Sequence, residues 1–124
     1  MRLLLDTHTF LWWSDDHHRL TRAARHAIAN ADAVYVSVAS AWEVAVKTAL
    51  RKLRLDVPFE HAVEINRFSG LPVEFRHAAV VATLPLHHTD PFDRILVAQT
   101  QVEGLTLVTH DHRFEPYRIP VLWT

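Results

Sequence analysis

Four carboxylates in this chain stand where acidic side chains can act together: Asp6, Glu43, Asp93 and Asp111. Asp6 ends the apolar run Leu3-Leu4-Leu5. Glu43 lies in the first turns of a helical pattern that follows VYVSV (34–38). Asp93 comes three residues after Asp90 in DPFD, and Asp111 lies just past LTLVT (105–109). Gathered in one cleft, such groups oppose one another. Two charges 4 Å apart repel by about 4 kcal/mol at an effective dielectric of 20. A helix amino end returns only about 0.3–1 kcal/mol per carboxylate. The cluster must therefore raise some of its pKa values or hold a cation. Oxygen ligands without thiols suit a hard ion, Mg²⁺ or Mn²⁺. Water acidified by such an ion can attack a phosphodiester.

Each acid also has a plainer reading. Asp6 and Asp111 precede helical patterns and could serve as caps. Glu43 alone could be a first-turn charge or part of a solvated face. Asp93 is the informative one. Asp90 precedes a proline and is the natural cap, which leaves Asp93 one turn inside with no capping duty. Asp90 itself is an outer candidate. Thr7 and Thr109 flank two of the acids and could orient a carboxylate or a water; capping is the simpler role for both. The histidine groups His87-His88, His110 and His112 flank the acidic segments, but none has the helical spacing of a zinc motif. Loop or surface positions account for them.

These residues must be positioned by strands and helices. A continuous leucine run reads as a parallel strand covered on both faces. Further strands are expected at 34–38, 71–75, 105–109 and 120–123. Helical patterns occupy 9–13, 19–31, 40–50, 59–68, 76–84 and 90–103, with Asp56-Val57-Pro58 opening the fourth. Gly70 and Gly104 are expected as stops for the fourth and the last. Strands that alternate with helices predict a three-layer α/β/α fold with a central, mostly parallel sheet of four to five strands. In such sheets ligands bind at the carboxyl edge of the strands. Asp6, Glu43 and Asp111 all follow strands. The helix bearing Asp93 runs back to that same edge, so all four acids can converge there.

The bulk composition narrows the classes. The chain has 124 residues, 49% hydrophobic and 22% charged, which fits one folded domain over 1–124. It has no cysteine, which removes disulfides, thiolate metal sites and cysteine nucleophiles. Only two glycines are present, so a glycine-rich phosphate loop is excluded. A serine nucleophile elbow is also missing. No segment approaches the ~20 apolar residues of a membrane span, and no signal peptide is visible, so a cytoplasmic protein without membrane contact is expected. The formal net charge of −1 speaks against extensive nucleic-acid backbone binding, although a local cationic site could still handle a phosphodiester.

Four segments together, LLLDTHTFLW, SAWEVAVK, HHTDPFDRILVAQTQ and LTLVTHDHRF, resemble the PIN domain, and within it the VapC-type toxins of bacterial toxin–antitoxin pairs. The resemblance runs from Arg2 to about Tyr117. It implies that Asp6, Glu43, Asp93 and Asp111 are catalytic and metal-binding, with Mg²⁺ or Mn²⁺ as cofactor. The implied activity is that of a metal-dependent endoribonuclease, inhibited by a small cognate antitoxin and forming a homodimer. The basic group Lys47, Arg51, Lys52 and Arg54 could touch RNA phosphate or an acidic partner, or simply end a solvated helix. Two other classes stay open on the residues themselves. One is a nuclease or phosphatase that uses the same site on another substrate. The other is a non-catalytic binding module whose acids only cap helices.

Overall fold

Leu3, Leu4 and Leu5 are fully buried because β1 (Arg2–Leu5) is the middle strand of its sheet. The computed structural model describes residues 1–124. The other strands are β2 (Ala33–Ser37), β3 (Ser69–Leu71), β4 (Thr106–Thr109) and β5 (Val121–Trp123), in the order β3-β2-β1-β4-β5. All four pairings are parallel. β1 pairs Leu5 with Val36 on one side and Val108 on the other. The direction of winding reverses between β1 and β4, and a crevice opens beyond their carboxyl ends. That switch point is where open α/β sheets hold ligands.

Helices cover both faces: α1 (Thr7–Ser14), α2 (Arg22–Ala29), α3 (Val38–Ala49), α4 (Phe59–Ile65), α5 (Phe75–Val81) and α6 (Pro91–Glu103). Alternate leucines of β1 serve opposite cores, as the period-2 pleat requires. Leu3 and Leu5 join Phe10, Leu20, Ala24, Ile28 and Val63 beneath α1, α2 and α4. Leu4 joins Leu96, Val97, Leu107, Phe114 and Tyr117 beneath α6 and a 3-10 helix (His112–Tyr117). No helix is long and apolar enough to cross a membrane.

Several expected boundaries move. β3 is Ser69–Leu71, not 71–75, because Pro72 cannot donate to a ladder and ends the strand. Gly70 therefore lies inside β3, paired with Val36, and does not stop α4. α4 ends at Ile65 with Asn66 as its cap residue, followed by Arg67 at φ 59°. Asp56 does not cap α4; Pro58 holds that position without a side-chain bond. α2 begins only at Arg22, where the Thr21 hydroxyl accepts from the Ala24 amide. α3 starts two residues earlier than expected, capped by Ser37, so Glu43 sits in its second turn. Gly104 does end α6, at φ 65°, a left-handed conformation that glycine adopts without a Cβ penalty. The 3-10 helix after Asp111 escaped the sequence reading; it is only two turns long, with Pro116 inside it.

Candidate active site

Asp6 is buried where β1 leaves the sheet. Its Oδ1 accepts the Thr9 amide at 2.9 Å, capping α1. Its Oδ2 accepts the Thr109 hydroxyl at 2.6 Å. Burial pushes the Asp6 carboxyl up, and those two hydrogen bonds pull against the shift. The same Thr109 hydroxyl accepts the Asp111 amide at 3.0 Å. One threonine at the end of β4 thus ties Asp6 to Asp111. Across the cleft, the Thr7 hydroxyl donates to Glu43 Oε1 at 2.6 Å and lies 3.0 Å from Ser40 Oγ. The capping role preferred for both threonines is therefore incomplete. Thr7 positions a carboxylate, and Thr109 does so while also receiving a backbone amide.

Glu43 is buried, and its Oε2 receives Lys47 Nζ at 2.6 Å one turn along α3. Lys47 therefore belongs to the cleft. Arg51, Lys52 and Arg54 lie beyond the end of α3, exposed beside Thr48 and Leu53. The basic group is divided between two places because the helix stops at Ala49.

Asp90 accepts the Phe92 and Asp93 amides at 2.9 and 3.1 Å, which makes it the cap of α6. Asp93 is left free, as the spacing predicts. Its Oδ2 is buried and receives no hydrogen bond. His88 Nε2 approaches to 3.3 Å without the geometry of one. Arg113 Nη2 stands 3.6 Å away. Burial pushes the Asp93 carboxyl up to about 7, helped by the charges of Asp90, Glu43 and Asp111 and opposed by Arg113. The acid expected to have no structural duty is thus the one that holds its proton near neutrality.

Asp111 caps the 3-10 helix through the Arg113 amide at 3.0 Å. It also receives the Arg113 guanidinium, at 2.7 Å from Nη2 and 3.0 Å from Nε. That guanidinium holds the Asp111 carboxyl below its usual range. Arg113 thereby bridges Asp111 and Asp93, and the sequence reading did not single it out. A guanidinium and a divalent cation compete for the same carboxylate oxygens. The Arg113 side chain is 60% exposed, so its pairing is worth about 0–1 kcal/mol. Arg113→Gln is accordingly expected to tighten Mn²⁺ binding about two- to fivefold. Calorimetric titration of the two proteins checks this; an unchanged Kd would mean that the arginine leaves the acids at no cost.

His88 lies in the loop before α6, as the sequence reading expects, but its ring is turned inward. It is half-buried against Asp93, Phe114 and Tyr117, and both ring nitrogens lack hydrogen bonds. Burial lowers its pKa, with Arg113 adding to the effect. Arg94, next to Asp93, is buried and is the second residue missed. It donates to the carbonyls of Val81, Leu84 and Pro85 and to the Tyr117 hydroxyl, so it ties down the segment that carries His88. The sequence signal was available in principle. An arginine on the inward face of an apolar helix must find acceptors, but nothing in the spacing names them.

The chain folds a different acid–histidine group together elsewhere. Ligand atoms of Glu74, His77 and Glu103 lie within 4.8 Å of one another. His77 Nδ1 accepts the Glu74 amide at 3.0 Å, so Nε2 carries the proton toward Glu103 Oε2 at 2.8 Å. Arg76 pairs with both glutamates. No imidazole lone pair is left over, and this group is a closed network that joins α5 to the far end of α6.

At the switch point the candidate donors are carboxylates; no three of them bring ligand atoms within 4.8 Å of one another, and the Asp93 Oδ2 among them is buried without a hydrogen bond. That donor set fits a hard divalent cation. The PIN domain profile matches residues 3–119. The chain belongs to the PIN domain family. Among individual PIN-domain proteins, it is 33% identical over 123 residues to Ribonuclease VapC22 of Mycobacterium tuberculosis (strain ATCC 25618 / H37Rv), covering 95% of this chain and 93% of that protein. The PIN fold is also shared with solved structures. VapBC2 from Rickettsia felis, bound to a DNA fragment from its promoter, gives a TM-score of 0.74 at 14% identity, covering 99% of this chain and 98% of that one. A toxin–antitoxin complex from Klebsiella pneumoniae gives 0.67 at 18% identity, covering 97% and 95%.

Proposed function

We propose that this PIN-domain protein is a metal-dependent endoribonuclease, the toxin of a toxin–antitoxin pair. In this reading Asp6, Glu43, Asp93 and Asp111 hold Mg²⁺ or Mn²⁺. The observation that carries it is the buried Asp93 oxygen without a hydrogen bond, in a cleft where burial and then the charges of Asp90, Glu43 and Asp111 push the carboxyl up. The ribonuclease name of the relative, at 33% identity over most of both chains, supports RNA as the substrate.

Each residue then has a task. Thr109 orients Asp6, and Thr7 orients Glu43, so that two carboxylates present fixed oxygens. Lys47 offsets the charge of Glu43 and keeps the cleft from becoming uniformly anionic. Asp93 would hold the ion as its deprotonated carboxylate. A bound divalent ion supplies an acidified water and stabilises charge on the phosphodiester. Asp90 holds the first turn of α6, and with it Asp93, in place. Arg51, Lys52 and Arg54 are exposed cations for RNA phosphate or an acidic partner.

Protein partners are part of the same reading: a small antitoxin and a second copy of the chain. An apolar groove of about 510 Å³ between α3, α5 and α6 supports them, with Val38, Trp42, Val73, Pro91 and Ile95 in its walls. Trp42 is 61% exposed there, in edge contact with Phe92. An apolar patch of that kind beside a polar cleft suits a protein surface.

The test is RNA cleavage by purified, partner-free protein in Mg²⁺, in Mn²⁺ and in excess EDTA, with Asp6→Asn and Asp93→Asn prepared identically. Metal-dependent cleavage lost in both variants is expected. Equal activity in the variants would place the reaction elsewhere. Cleavage of DNA or phosphate monoesters in preference to RNA would reassign the substrate, and failure of Mn²⁺ to raise the melting temperature would favour a binding module.

A further inference from the structure

On the β4–β5 side of the acids the surface changes character. His8 follows Asp6 by two residues, and His110 and His112 flank Asp111. Trp12 of α1 lies between His8, at 6.3 Å, and His110, at 5.5 Å between ring centroids. His17 stacks on Trp12 at 5.8 Å and 19°, and His18 on His17 at 4.4 Å and 25°. A second stack, His112 on Trp123, has a 4.4 Å separation and an 11° tilt. The sheet register brings the two stacks to one rim. Thr109 pairs with Trp123 at the carboxyl ends of β4 and β5, and His110 Nδ1 lies 2.7 Å from the Thr124 carbonyl oxygen.

We propose that this rim, formed by Trp12, His17, His18, His110, His112 and Trp123, is a stacking platform for nucleobases of single-stranded RNA beside the acidic cleft. The proposal rests on the ribonuclease reading and adds to it where the bases on one side of the cut would sit.

Three features favour RNA over a protein partner. The first is exposure. The His112 side chain is 72% exposed although one face is covered by Trp123, and His18 ends its own stack in solvent. Each stack therefore has an open end that a base can extend, and base–aromatic stacking needs only a free π-face. The second is composition. Of the exposed large apolar side chains, Trp123 alone falls within segments 8–22 and 106–124. The exposed aliphatics Val38 and Val73 line the groove that suits a protein, and Val46 and Leu50 lie farther along α3 and at its end. The third is charge. Arg19 and Arg22 are exposed in the same segments. A strand that crosses the acids would thus leave a cleft for its phosphates and meet rings for its bases.

The closing experiment reads binding separately from cleavage. A fluorescent single-stranded RNA is titrated with Asp93→Asn protein in Mg²⁺, which relieves the acidic repulsion and leaves every ring in place. His18→Ala, His112→Ala and Trp123→Leu are added to that background, all at exposed positions, with melting temperatures recorded. Each is expected to weaken binding about 5- to 150-fold, the range of losing one stacked base. Trp123→Phe should recover most of the loss, because the π-face returns. An abasic nucleotide at the stacked position should weaken binding to the parent and cost nothing further in Trp123→Leu. Affinity unchanged in the ring variants overturns the proposal, as does an RNA that does not bind at all. A leucine as good as phenylalanine would do the same. Cleavage by the protein with Asp93 intact is scored in parallel. If it cleaves RNA while the ring variants bind normally, the platform fails and the nuclease reading stands. If rings matter for binding but no RNA is cut, the platform stands without the nuclease.

Discussion

Asp93→Asn is expected to melt about 3–10 °C higher than the parent protein in metal-free buffer at pH 8, and to lose RNA cleavage. The two effects have one cause. In the folded protein the Asp93 pKa is about 7, against 3.8 for the free group, chiefly through burial and then through Asp90. A raised carboxyl pKa means that the folded state holds a proton which the unfolded state has released. The group therefore contributes nothing below pH 4, and stability falls as pH rises from about 4 to 7. Above 7 the full loss is in place, at most about 4 kcal/mol at 1.36 kcal/mol per pH unit. Asparagine keeps the shape and removes the charge. It also gives up the attraction of Arg113, so the net gain is set at about 1–2 kcal/mol. Thermal melts at pH 5 and pH 8 check the sign: the gain should shrink toward the lower pH. Cleavage should fall about 10²–10⁴-fold, because a few kcal/mol of charge stabilisation leave with the ligand. A variant that melts several degrees lower would mean that the Arg113 contact outweighs the buried charge.

Mn²⁺ affinity is expected to fall steeply as pH drops below 7. In the proposed site the Asp93 carboxylate helps to hold the cation, and the folded protein keeps that group protonated below about 7. One proton must leave for each ion bound, so the apparent affinity drops about tenfold per pH unit under 7 and levels off above it. Between pH 7.5 and pH 5.5 the loss comes to about 30-fold. Asp6, raised by burial as well, acts in the same direction. Calorimetric titrations in two buffers of different ionisation heat count the protons released. About one proton at pH 6 and almost none at pH 8.5 is the expected pair of values. A flat profile would show that the cation is held without Asp93. Asp93→Asn should flatten the profile if it still binds Mn²⁺.

Most of the architecture was legible in the chain itself. LLLD announces a strand covered on both faces that ends at a carboxylate, because only a central parallel strand can hide three successive leucines. DPFD separates cap from free acid, because proline sets the first helical position and leaves Asp90 to accept the amides. Threonines beside acids, the stop at Gly104 and the alternation of strands with helices were equally local. Local rules failed where a neighbouring residue or strand decided the outcome. β3 lost its predicted end to Pro72, and Gly70 went into the sheet because β2 offered it a partner at Val36.

The tertiary structure alone decided the electrostatics and the division of the surface. Nothing in the spacing could place Arg113 across Asp111 and Asp93, or His88 against Asp93, since those contacts depend on how the 3-10 helix packs beside α6. The bridge from Asp6 through Thr109 to Asp111 depends on a contact between Asp6 and Thr109, 103 positions apart, and exists only because β4 lies beside β1. Burial then sorts carboxylates that look alike in the sequence. Asp111, half-exposed and hydrogen-bonded to Arg113, is held low, while Asp93, buried and without a hydrogen bond on Oδ2, is pushed to about 7. Residue types set which atoms can hold a cation or a base; strand order and desolvation set which of them are placed and charged to do so.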